Sequence, residues 1–229
     1  MKYLNKYTIL ARYLPGLITL IPASLIYFFL TKQESDYSLS EYLTSITFIV
    51  GLSGSFILTF FMSMIVRELG YYLEKKYFKN KLGFPSTYLM LFRDTKFPKQ
   101  MKNLYGRKIY SDFSLTRLNE LEEVNDQPEA LRVLSQASRM LSTRYQQNEQ
   151  VKDANIAYGF CRNVSGGLLI SIPSAIAGVC VGMFIHLLPL VFWSALCAGI
   201  YVLVAFFHKS WITNNSEKYA EKLFSVYLG

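Results

Sequence analysis

Four stretches of this chain are long and apolar enough to cross a bilayer, and no other feature constrains its fold as tightly. They are 13–31 (YLPGLITLIPASLIYFFLT), 44–66 (TSITFIVGLSGSFILTFFMSMIV), 167–187 (GLLISIPSAIAGVCVGMFIHL) and 189–207 (PLVFWSALCAGIYVLVAFF). Each approaches the ~20 apolar residues that span about 30 Å of hydrocarbon. Lipid offers no partner to a bare peptide group, so such segments must close their hydrogen bonds internally as helices. The short link KQESDYSLSEYL joins the first two, and a tight turn at His186–Pro189 joins the last two. The pattern predicts an all-α membrane protein: four transmembrane helices in two hairpins, with a helical cytoplasmic domain between them.

Composition agrees. Of 229 residues, 52% are hydrophobic and only 17% charged, against about 25% charged in ordinary soluble domains. The three cysteines, Cys161, Cys180 and Cys197, have no even pairing and no metal-ligand spacing. They read as reduced, buried thiols, and no metal or cofactor is expected. The first apolar run is longer than a typical signal-peptide core, contains two prolines and lacks a cleavage motif after it, which argues against a cleaved leader.

Basic residues set the orientation. Lys2, Lys6 and Arg12 precede the first span; Arg67, Lys75, Lys76, Lys79 and Lys81 follow the second; Lys209, Lys218 and Lys222 follow the fourth. The first hairpin loop carries Lys32 beside Glu34, Asp36 and Glu41. Both termini and the long middle are therefore expected in the cytoplasm. The expected divisions are a first hairpin over 1–66, a basic helical domain over 67–166, a second hairpin over 167–207 and an amphipathic cytoplasmic tail over 208–229. The hairpins open alike, ARYLPGLITLIPASLI and CRNVSGGLLISIPSAI, each with an Arg (Arg12, Arg162), a Gly soon after (Gly16, Gly166) and then a Pro (Pro22, Pro173). A parallel duplication and a coincidence among small residues both account for this.

In the middle, the second span continues as RELGYYLEKKYFKNKLG until Gly83 and Pro85 stop it. KQMKNLYGRKIYSD reads as a short basic helix. Asn125-Asp126 with Pro128 starts another, whose Leu131, Leu134, Ala137 and Leu141 keep helical spacing toward the third span, with a bend expected near Gly159. Residues 67–108 hold eleven Lys or Arg against Glu68, Glu74 and Asp94. Retention on the cytoplasmic side and attraction to anionic lipid explain this charge. Contact with a nucleic acid, with Tyr77, Phe78, Tyr88 and Tyr105 stacking on bases, is the sharper alternative.

The second span keeps a row of small and hydroxyl side chains at every fourth position: Thr47, Gly51, Ser55, Thr59 and Ser63. The third carries Ser174, Gly178 and Gly182. Small residues let helix backbones approach closely in lipid, so the two rows are expected either to pack together within one chain or to line a path in an oligomer. The spans contain no acidic or basic residue between their ends, which argues against an ion-coupled carrier. His186 and His208 fall at opposite ends of the fourth helical segment, and no phosphate loop or nucleophile motif is present. No enzymatic role is expected.

Two motifs bring a resemblance. LGFPSTYLMLFRD, with Gly83, Pro85, Thr87, Leu91, Arg93 and Asp94, resembles the G-x-P-[ST]-T-x-x-L-x-x-R-D pattern of a family of bacterial multi-span membrane proteins without assigned function. Asn155, Tyr158, Gly159, Phe160, Arg162 and Asn163 are similar to its second pattern, N-x-x-Y-G-F-x-R-N. The chain departs from that family at Cys161, where arginine is common, and at Leu104-Tyr105-Gly106, where the family has R-Y-H. The layout is similar to membrane effectors of anti-phage defence. The resemblance implies an inner-membrane effector that oligomerises and permeabilises the membrane when a sensor protein or nucleoprotein complex engages its cytoplasmic domain. The alternative is a non-conducting anchor or scaffold that presents a basic domain to a protein or nucleic-acid partner, with membrane lipids as its surroundings. Lys75, Lys76, Lys79 and Lys81 are the candidate partner or lipid contacts.

Overall fold

A computed structural model describes residues 6–32, 46–79, 83–115 and 119–229, with the side chains of 32, 46–53 and 122 not included. Every regular element among them is helical. A π-helical turn, Thr8–Tyr13, leads into α1 (Leu14–Lys32); α2 (Ile46–Phe78), α3 (Pro85–Tyr88), α4 (Lys99–Phe113), α5 (Glu120–Asn125), α6 (Gln127–Arg144), α7 (Glu149–Phe184) and α8 (Leu188–Leu228) follow. Four of these helices are long and apolar enough to cross a membrane: Thr8–Thr31, Gly54–Phe78, Glu149–Phe184 and Leu188–Leu228.

The chain divides into two compact units. One, the span unit, comprises Met1–Leu73 and Gly159–Ser210; the other, the polar unit, comprises Glu74–Tyr158 and Trp211–Gly229. Residues 211–229, read from sequence as a separate tail, thus belong with the middle segment. Their Ile212, Ala220, Leu223, Phe224 and Tyr227 recur at three- and four-residue intervals and are buried in the polar unit's core beside Tyr105, Ile109, Leu134 and Leu141. That burial draws α8 on from the end of its apolar stretch to Leu228, because its second half has a core of its own to fill.

Local chemistry sets the ends of the shorter helices. The Asp126 side chain accepts the Glu129 N–H at 3.1 Å and Pro128 sits in the first turn, so α6 starts where the capping pattern predicts. The helix does not run into the third span. It ends at Arg144, and Asn148 caps a new one by accepting the Gln150 and Val151 N–H groups at 3.1 and 3.3 Å. The bend expected near Gly159 is instead this break ten residues earlier, and α7 passes through Gly159 without interruption. At the other side of the unit, α4 closes on Ser114 in the left-handed region (φ 53°), whose N–H returns to the Tyr110 carbonyl.

Candidate functional site

In the span unit, α2 presents Thr59, Ser63, Val66, Gly70 and Leu73 as one buried stripe. Thr59 and Ser63 meet α1 at Gly16: a β-carbon there would lie 3.1 Å from the Ser63 nitrogen and 3.2 Å from the Thr59 carbonyl oxygen. Their hydroxyls turn back into their own helix. Thr59 Oγ1 donates to the Ser55 carbonyl and Ser63 Oγ to that of Phe60, both at 2.7 Å. Ser55 is exposed. The side-chain surroundings of Thr47 and Gly51 lie outside the described residues.

One turn further along, α2 meets α7 backbone to backbone. A β-carbon on Gly70 would stand 2.7 Å from the Arg162 carbonyl oxygen, and one on Gly166 would strike the Val66 carbonyl and stand 2.9 Å from Gly70 Cα. Around this crossing every residue from Cys161 to Leu168 is buried, so α7 is enclosed on all sides there. The polar groups in this run are bonded. Ser165 Oγ donates to the Cys161 carbonyl at 2.7 Å, while Asn163 accepts from Arg162 Nε at 3.2 Å and donates to the Ala11 carbonyl at 2.5 Å. The Arg162 guanidinium lies 3.8 Å from the Tyr71 ring centroid, and Gly159 lets α7 close on Ala11 and Tyr7.

The row on α7 takes different partners. A β-carbon on Gly178 would meet Ser194 of α8, with Ile26 of α1 at 3.2 Å, and one on Gly182 would meet Val191 at 2.9 Å; Ser174 is partly buried. Among the described residues, Thr59 and Ser63 of one row and Gly178 and Gly182 of the other therefore meet different helices, not each other as one expectation had it. Each is used against another helix of the same chain: α1 for Thr59 and Ser63, α8 and α1 for Gly178 and Gly182. Spacing alone identifies a helix face and leaves its neighbour open, which is why these partners were not legible in the sequence.

In the polar unit the first motif is a loop clamped from both polarities. Pro85, Ser86, Thr87, Tyr88, Leu89, Met90 and Leu91 are all buried. By strict count the motif's leucine falls on Met90, one residue before Leu91, and both side chains are in the core. Beneath the loop, Lys102 is only 2% exposed and its ammonium donates to the Leu91 and Asp94 carbonyls. From the other side the buried Glu123 carboxylate accepts the N–H groups of Phe92 (2.5 Å) and Arg93 (3.2 Å). Asp94 also accepts the Lys96 N–H at 2.9 Å. Such charge-assisted bonds are the strong ones, and they leave the loop little freedom. Desolvation lowers the Lys102 pKa from its usual value; the nearby Asp94 and Glu123 oppose that shift.

The loop is also wired to the end of α8. Tyr88 donates to Glu217 at 2.8 Å, and Lys96 bridges Glu217 and Glu221 at 2.7 Å each. Gly83 has φ 110°, a conformation that favours glycine, directly ahead of Pro85. Arg93 is exposed. Of the second motif, Tyr158 belongs to this unit: it donates to Glu74, stacks on Tyr219 at 6.3 Å and meets Phe84 edge-on at 5.4 Å. Asn155 is partly buried, while Gly159, Arg162 and Asn163 belong to the span unit described above. The motif thus serves both units, one half in each. Lys75, Lys76 and Lys79 are exposed on the last turns of α2, and Lys81 lies outside the described residues.

Lys102 and Glu123 carry a structural role that the motif reading missed. The available signal was register: Lys102 shares a helix face with Tyr105, Gly106 and Ile109, so a lysine sits inside an apolar stripe. Among the described residues no three His, Cys, Asp or Glu side chains group as metal ligands would. No protein-family model, no curated protein and no solved structure matches this chain.

Proposed function

We propose that this chain is a multi-pass protein of the bacterial cytoplasmic membrane that anchors its polar unit in the cytoplasm and presents it to a partner. In this reading the four apolar helices cross as two hairpins, with both termini and the clamped loop on the cytoplasmic side. The observation that carries it is the fate of the hydroxyl row. Thr59 and Ser63 are sealed against Gly16, with their hydroxyls bonded to carbonyls of their own helix. Side chains so buried, with their O–H donors spent on their own helix, hold helices together and do not line a water-filled path. Binding then falls to the polar unit, whose exposed Lys75, Lys76 and Lys79 suit an anionic protein or nucleic-acid surface.

The test uses the full-length protein in neutral-lipid nanodiscs, with a labelled single-stranded oligonucleotide and a polyglutamate peptide as probes. One of them binds, and Lys75→Glu, Lys76→Glu and Lys79→Glu together abolish it, while vesicles carrying the protein release no trapped dye. Dye release that disappears with Thr59→Val and Ser63→Ala, with neither probe bound, overturns the proposal.

A second reading is a triggered effector that oligomerises and opens the membrane, in the manner of anti-phage defence proteins. It is favoured by the stretch of α2 just ahead of Thr59, where Ser55 is exposed and, among the described residues, nothing stands within 4 Å of a β-carbon placed on Gly54. A second copy docked there has room to approach closely. Leucine at Gly54 and Ser55 separates the readings: it removes an effector's activity and leaves probe binding intact.

A further inference from the structure

The π-helical turn Thr8–Tyr13 holds two arginine neighbourhoods of unlike kind. Its Ala11 carbonyl accepts Asn163, which also accepts from Arg162, whose guanidinium covers the Tyr71 ring. Arg12, the next residue after Ala11, is placed differently. Its Nε is buried without a hydrogen-bond partner among the described residues, and its guanidinium carbon lies 5.4 Å from the Tyr7 ring centroid. The side chain as a whole remains partly exposed.

A buried donor on a permanent cation is costly to leave unmade. The Tyr7 ring offers only a diffuse negative face. Arg12 Nε itself is enclosed, so an acceptor that arrives from outside the protein meets the terminal N–H groups of this partly exposed side chain. Its position narrows the choice, since it is the last charged residue before the apolar run 13–31. In a bilayer that is the depth of the lipid phosphates, and a guanidinium matches a phosphate through two parallel N–H···O bonds. π-Helical turns are also frequent at functional sites.

We propose that Arg12 binds the phosphate of an anionic phospholipid headgroup in the leaflet facing the N-terminus, with Tyr7 as one wall of the site. The site is independent of the anchor reading above: it requires the first span to be in a membrane and says nothing of the polar unit. It also differs from diffuse attraction by Lys75, Lys76 and Lys79, because the Arg12 site is geometric and resists salt.

The experiment incorporates the full-length protein into nanodiscs of phosphatidylglycerol and phosphatidylcholine, then measures by mass spectrometry which lipids stay bound on detergent extraction. The wild type is expected to retain phosphatidylglycerol above its bulk fraction, and Arg12→Gln to lose about tenfold of that retention. Arg12→Lys, which keeps charge without the planar fork and disturbs folding least, is expected to retain part. Arg67→Gln is the control, since Arg67 pairs with Glu68 at 3.0 Å, and should retain phosphatidylglycerol like the wild type. Equal retention by wild type and Arg12→Gln overturns the proposal. So does displacement of the lipid by free inorganic phosphate, which would identify a soluble anion as the ligand.

Discussion

Replacing Gly70 with alanine tests the backbone contact between α2 and α7. The added methyl would stand 2.7 Å from the Arg162 carbonyl oxygen and 3.1 Å from its carbon, where ordinary contact begins near 3.4 Å. The obstacle is backbone, which cannot swing aside as a side-chain tip would, so the helices must part by about 0.7 Å along that line. Overpacking of this kind costs roughly 1–3 kcal/mol, and a main-chain obstacle argues for the upper half of that range. Alanine also gains about 1 kcal/mol over glycine in helix propensity. The net expectation is destabilisation by about 1–2 kcal/mol. Gly199→Ala supplies the reference, because among the described residues nothing stands within 4 Å of a β-carbon there and only the propensity gain remains. The two variants should differ by about 2–3 kcal/mol in opposite directions. Unfolding in mixed micelles of rising SDS fraction, followed by tryptophan fluorescence or gel shift, measures the difference. If Gly70→Ala is as stable as Gly199→Ala, the close crossing at Gly70 and Gly166 is wrong.

Three further outcomes follow from the polar unit. Lys102→Ala removes the ammonium that holds the Leu91 and Asp94 carbonyls; it should destabilise the unit by about 1–3 kcal/mol, read by urea unfolding of the full-length protein. Lys96→Met breaks bridges to Glu217 and Glu221 that are partly open to solvent, so it should cost about 1 kcal/mol or less, and the cost should shrink in 1 M salt. Tyr105 is buried in the polar unit's core, which raises its pKa, while the neighbouring Ser138 hydroxyl opposes the shift. A raised folded pKa means that the unfolded chain releases this proton first, from about pH 10, so its stabilising share is present below that pH and lost as pH climbs toward the folded value. Tyr105→Phe should therefore flatten the alkaline fall in stability by about 1.4 kcal/mol per pH unit, with little loss at pH 7.

The four long helices were legible because hydropathy over twenty residues is a strong signal that tertiary contacts rarely reverse. The α2 row was legible as a face but not as a contact. Its true continuation passes from Ser63 through Val66 to Gly70, beyond the apolar stretch, where the eye stops following spacing. The partners were hidden for a different reason. Gly16, Arg162 and Ser194 stand at sequence distances that no local pattern records. The terminal residues read as a tail because Lys218 and Lys222 dominate their composition, while Leu223, Phe224 and Tyr227 carry the burial. In the first motif the buried Pro85–Leu91 stretch was visible as an apolar patch, whereas the Glu123 clamp closes a gap of thirty residues and left no trace in the motif itself.

Water accessibility along α2 distinguishes a hydroxyl row packed against α1 from one that faces water. In a chain with Cys161, Cys180 and Cys197 replaced by alanine, Thr59→Cys, Ser63→Cys and Lys75→Cys are each exposed, in intact membranes, to a charged thiol reagent. Sealed against α1, positions 59 and 63 should stay unmodified while position 75 reacts from the cytoplasmic side. Modification at 59 and 63 as fast as at 75 would mean that the hydroxyl row faces water, and the anchor reading would give way to a conducting one.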